Sequence, residues 1–193
     1  MPDEQVVALV LGGSAGWNSV IERLLVRSLE VIAFTDPFRD LVADATAVRA
    51  TIAGLGKPVV LVGHAYGGAV ITQAAAASDA VRALVYVAAF APDHGESAYD
   101  LMNRFPGGVP ADVPDAALRA RLPAAVPAWR TLPSWFVFGD EDLNIPVALH
   151  RFLADRAGAK GVREVSGASH AISVSHPASV TASILEAVDA VTA

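Results

Sequence analysis

We predict a doubly wound α/β fold, in which helices cover both faces of a six-stranded parallel sheet. Short apolar runs rich in valine alternate along the chain with longer segments whose apolar residues recur at helical spacing. Glycine or proline ends most of these runs, as expected where a strand or helix stops. This alternation is typical of right-handed β–α–β crossovers, which bring successive strands parallel into one sheet.

The first half of the chain supplies four predicted strands and three predicted helices. The apolar run over 6–11 predicts a buried first strand, because parallel strands covered on both faces are apolar throughout. Helical spacing then predicts an amphipathic helix over 17–29. The remaining elements are strands at 31–34, 58–62 and 81–89 and helices at 41–55 and 67–77, with Gly63 expected to end the third strand.

The second half resumes this pattern after an interruption. Residues 92–130 are rich in proline and glycine and predict only short helices, such as one over 116–122. Beyond them we predict strands at 134–138 and 162–166 and helices at 146–156 and 177–191. We expect one domain over 1–193 with strand order 2-1-3-4-5-6, in which 92–130 forms a reduced lid at the carboxyl edge of the sheet, where such folds place their sites.

The composition excludes several classes of protein. Of the 193 residues, 53% are hydrophobic and 18% are charged, which predicts a packed globule rather than a disordered chain. The net charge of −6 argues against a nucleic-acid partner, and the absence of cysteine excludes disulfides and thiolate metal sites. The acidic start of the chain lacks the basic region of a secretory signal, and no apolar run is long enough for a membrane partner. We therefore expect a cytoplasmic protein.

A glycine-rich turn follows the third strand. The sequence Leu-Val-Gly-His-Ala-Tyr-Gly-Gly at 61–68 matches the strand, G-x-S-x-G turn and helix of a nucleophile elbow, except that Ala65 replaces the serine. The stretch resembles the elbow of small bacterial α/β-hydrolases of the esterase type, usually V-G-H-S-Y-G-G-A. The resemblance implies an α/β-hydrolase fold with Ala65 at the nucleophile position. Because alanine has no hydroxyl, serine hydrolysis is not expected.

Two later loops continue the resemblance. Residues 138–146, Phe-Gly-Asp-Glu-Asp-Leu-Asn-Ile-Pro, are similar to the acid loop of the family, which implies that Asp142 is the catalytic acid. Gly-Ala-Ser-His at 167–170 is similar to its histidine loop, which implies that His170 is the catalytic base. In these roles Asp142 would orient His170, and His170 would move protons. We therefore expect a hydrogen bond between the two side chains.

The other histidines are given smaller roles. We expect His64 to be packed and hydrogen-bonded beneath the site, and His176 to be structural at a helix start. We expect His94 and His150 to have no site residues around them. No histidine pair has the helical spacing of a metal site, so we predict no metal, and the resemblance implies no cofactor.

The loop after the first strand departs from the family pattern. The family has His-Gly there, whereas this chain has Leu11 followed by Gly12, Gly13 and Ser14. The resemblance implies that backbone N–H groups of this loop and of Tyr66 polarise a substrate carbonyl. Residues 12–16 are themselves a literal G-x-S-x-G match centred on Ser14, but they lie one strand away from the elbow. We expect Ser14 to line the cleft rather than to act as the nucleophile.

A dinucleotide-binding alternative stays open. Glycines at 12, 13 and 16 follow a strand, and Asp36 closes the next strand about twenty residues later. The G-x-G spacing is absent, however, and Tyr99 is followed by Asn103 instead of the lysine that short-chain hydride chemistry needs.

Because Ala65 replaces the serine, three alternatives for the function of the chain stay open. The first is an engineered knockout of a hydrolase for a small hydrophobic ester or carbonyl compound. The others are a natural non-hydrolytic enzyme and a non-catalytic binding protein. Elimination, cyclisation and decarboxylation are the reactions that an Asp142–His170 pair could support without a nucleophile. Changes at Leu11, in the loop length and in the lid favour natural divergence, and the retained pair favours proton chemistry. The expected partner is a small-molecule substrate, and a homodimer stays open.

Overall fold

The described residues of the computed structural model (6–12, 16–35, 40–76, 78–109 and 114–192) contain the predicted parallel sheet. Its six strands lie in the order β2-β1-β3-β4-β5-β6, which confirms the predicted order. The strands are β1 (Val7–Leu11), β2 (Glu30–Phe34), β3 (Val59–Ala65), β4 (Val81–Ala89), β5 (Ser134–Gly139) and β6 (Gly161–Val165). Each pairs with its neighbours in parallel.

Helices cover both faces of this sheet. They are α1 (Asn18–Val26), α2 (Leu41–Leu55), α3 (Gly67–Ala75), α4 (Ala98–Arg104), α5 (Asp115–Arg119), α6 (Val147–Arg156), α7 (Ile172–Ser175) and α8 (Pro177–Thr192). A 3₁₀ turn lies at Ala128–Arg130. None of the helices in the described part of the chain is both long and apolar enough to cross a membrane.

The two faces carry separate apolar cores. Leu9 and Leu61 belong to the core that packs against α2, α3 and α6, whereas Val10 and Val62 belong to the core beneath α1 and α8. Successive side chains of a strand point to opposite faces, so both faces of a central strand must be apolar. This is why the continuous valine-rich runs predicted buried parallel strands.

Several element ends differ from the prediction for local reasons. Helix α1 ends at Val26 and not at residue 29, because Ser28 has φ +59° and the N–H groups of residues 27–29 turn back to Leu24 and Leu25. Strand β3 does not end at Gly63 but continues to Ala65. Helix α3 ends at Ala75, and residue 77 lies outside the described ranges.

The segment between β4 and β5 contains a helix that was not predicted. Helix α4 begins after Ser97, whose hydroxyl accepts the Asp100 N–H while the Asp100 carboxylate accepts the Ser97 N–H. This reciprocal pair is a capping box. The predicted helix over 116–122 is shorter, since α5 covers only Asp115–Arg119. Leu101 and Leu118 anchor the two helices in the core that includes α6.

Candidate active site

The elbow places residue 65 at the tip of the central strand. Ala65 ends β3 with φ +53°, and α3 begins two residues later at Gly67. Its carbonyl accepts a hydrogen bond from the N–H of Phe90 at 3.1 Å, just beyond the end of β4. An L-residue adopts positive φ rarely, because its Cβ approaches its own backbone. Ala65 therefore has the strained backbone that is typical of a nucleophile elbow.

Two glycines allow the helix to start this close to the sheet. A Cβ at Gly63 would lie 2.6 Å from the carbonyl group of Gly67, and a Cβ at Gly68 would lie 2.2 Å from the carbonyl oxygen of Phe90. Both distances are shorter than any side chain tolerates. The glycine pattern of this turn thus reflects close backbone approach.

Asp142 lies in the loop after β5, with its side chain fully buried. One carboxylate oxygen, Oδ1, accepts the backbone N–H groups of Asn144 at 2.8 Å and Ile145 at 2.9 Å. The other, Oδ2, accepts from His150 and His170. Burial alone would raise the pKa of this carboxyl, but the hydrogen bonds from the two histidines hold it well below its usual range. Asp142 is therefore ionised at neutral pH.

His170 lies in the loop after β6 and meets Asp142 as the sequence led us to expect. Its Nδ1 donates to Asp142 Oδ2 at 2.8 Å, and its side chain is 18% exposed. An ionised carboxylate can only accept, so the ring proton of the neutral imidazole lies on Nδ1. The lone pair is then on Nε2, which is the arrangement that a general base needs.

The expectation that His150 has no site residues around it is wrong. His150 is the fourth residue of α6, 1% exposed, and its Nε2 donates to the same Oδ2 of Asp142 at 3.0 Å. Its ring stacks on Phe138, with the ring centroids 4.8 Å apart. Burial lowers the pKa of His150, so this histidine is neutral at neutral pH. A sequence signal existed: the residue lies one helical turn after Pro146, in the helix that the acid loop leads into.

His64 connects the elbow to the histidine loop. Its Nε2 donates to the backbone carbonyl of His170 at 3.0 Å, and the two imidazole rings lie 4.7 Å apart. Burial, aided by the nearby His170, lowers the pKa of His64 from 6.5 to about 4. A neutral, hydrogen-bonded His64 agrees with the packed role expected for it.

The acid loop and the histidine loop are held together by their backbones. A Cβ at Gly139 would lie 1.8 Å from the carbonyl oxygen of Ala168, so only glycine fits at the end of β5. The Asp140 carboxylate accepts the N–H of Gly167 at 2.7 Å, and the N–H of Glu141 donates to Ala168 at 3.1 Å. These contacts fix the distance between Asp142 and His170.

The other predicted site residues are partly described. Gly12 follows β1 at the same sheet edge, and a Cβ there would lie 2.7 Å from Nε1 of Trp17, whose ring is edge-on to His64. Tyr66 is the elbow residue just before α3, and it is buried. Gly13 and Ser14 lie outside the described ranges, as does Asp36 of the dinucleotide alternative.

Two further histidines lie away from this edge. His94 Nδ1 bonds the carbonyl of Ala124, and His176 Nδ1 bonds the hydroxyl of Ser175. Across the described ranges no cluster of three or more His, Asp or Glu side chains is arranged to hold a metal ion.

The segment after β4 is tied to α6 and to the acid loop. Glu96 accepts hydrogen bonds from Arg104 and Arg156, and the N–H of Val109 donates to the carbonyl of Leu143 at 3.0 Å. Leu143, next to Asp142, is 77% exposed. A cavity of about 840 Å³ lies elsewhere, beside Val6 at the amino end of β1, and neither Asp142 nor His170 lines it.

Comparison with known proteins identifies related sequences. The model of the alpha/beta hydrolase family matches residues 12–183. The carbendazim hydrolyzing esterase of Nocardioides sp. (strain SG-4G) is 48% identical over 56 residues, which are 28% of this chain and 22% of that esterase.

Solved structures share the fold. Polyneuridine aldehyde esterase is 17% identical with a TM-score of 0.76, covering 95% of this chain and 98% of the other. A pyrethroid hydrolase from Sphingobium faniae JZ-2 is 20% identical with a TM-score of 0.68, covering 96% of this chain and 98% of the other. A methylesterase protein from Arabidopsis is 17% identical with a TM-score of 0.68, covering 95% of this chain and 98% of the other.

Proposed function

Because this chain belongs to the alpha/beta hydrolase family, we propose that it binds a small, largely apolar carbonyl or ester compound and transfers protons on it without a covalent intermediate. The observation that carries the proposal is the 2.8 Å hydrogen bond from His170 to the buried Asp142, beside an elbow that ends in a methyl group. In this proposal His170 is the base and Asp142 its orienting acid, as in the family, whereas Ala65 supplies no nucleophile.

In this mechanism the lone pair on His170 Nε2 takes a proton from a C–H or O–H group of the substrate. The electron pair left behind expels a leaving group, closes a ring or is stabilised on the carbonyl oxygen. The imidazolium that forms is stabilised by the ionised Asp142 and returns its proton to the leaving atom or to the product. Elimination and cyclisation follow this sequence. In a decarboxylation His170 would take the proton of the substrate's carboxyl group, the C–C bond would break with release of CO₂, and the imidazolium would protonate the carbanion that is left.

The elbow would assist by holding the carbonyl oxygen. The backbone N–H of Tyr66 lies at the start of α3, where helix N–H groups and the helix dipole favour negative charge. Related proteins support the substrate class: the partial sequence match is to an esterase that hydrolyses carbendazim, and two of the structural relatives are an aldehyde esterase and a pyrethroid hydrolase.

One observation favours a second candidate, a serine hydrolase disabled at a single position. Ala65 keeps the positive φ of +53° although nothing in alanine requires it. A hydroxyl placed there would stand on the elbow backbone of this fold, next to His64 and the histidine loop.

Two measurements separate these functions. The first follows exchange of the α-protons of small apolar ketones into D₂O by ¹H NMR. Proton transfer predicts exchange with the unaltered chain and none with the His170→Ala variant. Equal rates for the two proteins, with binding retained, would reject proton transfer and leave a disabled hydrolase or a binding protein.

The second measurement restores the hydroxyl. In the Ala65→Ser variant, a disabled hydrolase should cleave short aryl esters with a burst of acyl-enzyme, and a fluorophosphonate probe should add covalently to it. The matched control is the double variant Ala65→Ser, His170→Ala, which has the hydroxyl without the base. Our first proposal predicts slow ester cleavage and weak labelling of the single variant, and labelling of the unaltered chain would contradict both candidates.

A further inference from the structure

The Asp142 carboxylate accepts a hydrogen bond from a second imidazole, that of His150, which the proposed mechanism does not use. His150 and His170 donate to the same oxygen, Oδ2, at 3.0 Å and 2.8 Å. Oδ1 is occupied by two backbone N–H groups, so it cannot take over either histidine. One oxygen must therefore serve two imidazole donors.

The position of His150 is rigid. Its side chain is 1% exposed, lies on the first turn of α6 and stacks on Phe138 at an interplanar angle of 12°. The charged and titratable groups that act on it are Asp142, His170 and Glu164, and His64 is coupled to it more weakly. A neutral His150 in this packing can only donate through Nε2 to the carboxylate.

We infer that His150 is a positioning residue that weakens the hold of Asp142 on His170 and so keeps His170 ready to accept a proton. A hydrogen bond to a carboxylate oxygen spreads its negative charge and makes it a poorer acceptor for a second donor. The imidazolium form of His170 gains less from Asp142 than it would from an unshared carboxylate.

This role fits a site without a serine, and in that respect it rests on the proposed function. A base that takes its proton from the substrate itself must be unprotonated when the substrate binds. Sharing Oδ2 between two donors supplies this condition while the backbone N–H groups on Oδ1 keep the carboxylate in place.

The test compares two substitutions of His150 in the otherwise unaltered chain. His150→Phe removes the donor and keeps a flat ring against Phe138, whereas His150→Gln keeps an N–H donor of similar reach. His176→Phe, at a half-buried histidine outside the site, is the matched control. Circular dichroism and thermal unfolding establish that each variant folds.

The readout is the pH at which the His170 Cε1–H resonance is half-titrated, followed by NMR. We expect this midpoint to rise by about half a pH unit to one pH unit in His150→Phe, since one charge-assisted hydrogen bond on Asp142 is lost. The Nδ1–H resonance of His170 should move downfield at the same time. His150→Gln and His176→Phe should stay within about 0.2 pH units of the unaltered chain.

The outcome distinguishes this inference from the proposed function. A midpoint that is unchanged or lower in a folded His150→Phe variant would overturn the inference, and so would a His150→Gln variant that behaves like His150→Phe. If His150→Phe does not fold, the same measurement on His150→Leu replaces it. Failure of ketone exchange with an upward midpoint would reject the proposed function and leave the inference standing.

Discussion

The closest backbone approach of the elbow makes Gly68 a sensitive position. In Gly68→Ala the new Cβ would lie 2.2 Å from the Phe90 carbonyl oxygen and 2.8 Å from the Cβ of Ala89. The first neighbour is backbone, so no side-chain rotation removes the overlap. Helix α3 or the end of β4 must move by about 1 Å, and we expect a loss of about 3 kcal/mol in the free energy of unfolding.

Gly54→Ala is the matched control for this substitution. Gly54 lies near the end of α2, is exposed, and a Cβ there meets nothing within 4 Å. Alanine is favoured over glycine inside a helix by about 1 kcal/mol, so this variant should be more stable than the unaltered chain. The same chemical change is thus expected to have opposite signs at the two positions.

Thermal unfolding followed by circular dichroism measures both effects. In a chain of this size about 1 kcal/mol moves the Tm by roughly 2–4 °C. We expect a fall of about 6–12 °C for Gly68→Ala and a rise of about 2–4 °C for Gly54→Ala. A Gly68→Ala Tm within about 2 °C of the unaltered chain would refute the close packing of α3 on Phe90.

Two further predictions concern the site histidines and their acid. Folding lowers the pKa of His64 from 6.5 to about 4, so between these pH values the unfolded chain binds a proton that the folded chain does not. The contribution of neutral His64 to the free energy of unfolding is complete above pH 6.5 and is lost as the pH falls towards 4. Urea unfolding should show the free energy of unfolding decrease by up to about 3 kcal/mol over this range. The decrease should be smaller in His64→Gln. If Ala65→Ser cleaves esters, as the second candidate requires, adding Asp142→Asn should lower the rate by about 10³-fold or more, and an unchanged rate would contradict the acid role.

The sequence predicted the six strands because buried parallel strands leave a simple signal, each central strand being apolar on both faces. Right-handed crossovers are compatible with more than one strand order, and the resemblance to the α/β-hydrolase fold favoured the observed one. The end of β3 was missed because Gly63 suggested a break. In the structure, that glycine is required inside the strand by the approach of Gly67.

Loop motifs predicted that Asp142 and His170 meet, whereas they did not predict that His150 joins them. Asp142 and His170 follow strands whose carboxyl ends share an edge, so a local pattern suffices to bring them together. His150 reaches the site from within a helix, and its orientation depends on how α6 packs against Phe138. That packing is a tertiary property, which spacing along the chain does not encode.

All hydrogen-bonding positions of the Asp142 carboxylate are filled, which bears on how the sequence of such a chain can change in evolution. Four donors fill its carboxylate, and they come from residues 144, 145, 150 and 170. None belongs to the elbow, so the geometry of Asp142 and His170 is assembled independently of the side chain at residue 65. Exchanging a methyl for a hydroxyl there alters what a bound substrate meets and leaves the framework intact. In evolutionary terms, a single codon change can exchange the methyl group of residue 65 for a hydroxyl while the four hydrogen bonds on Asp142 stay in place.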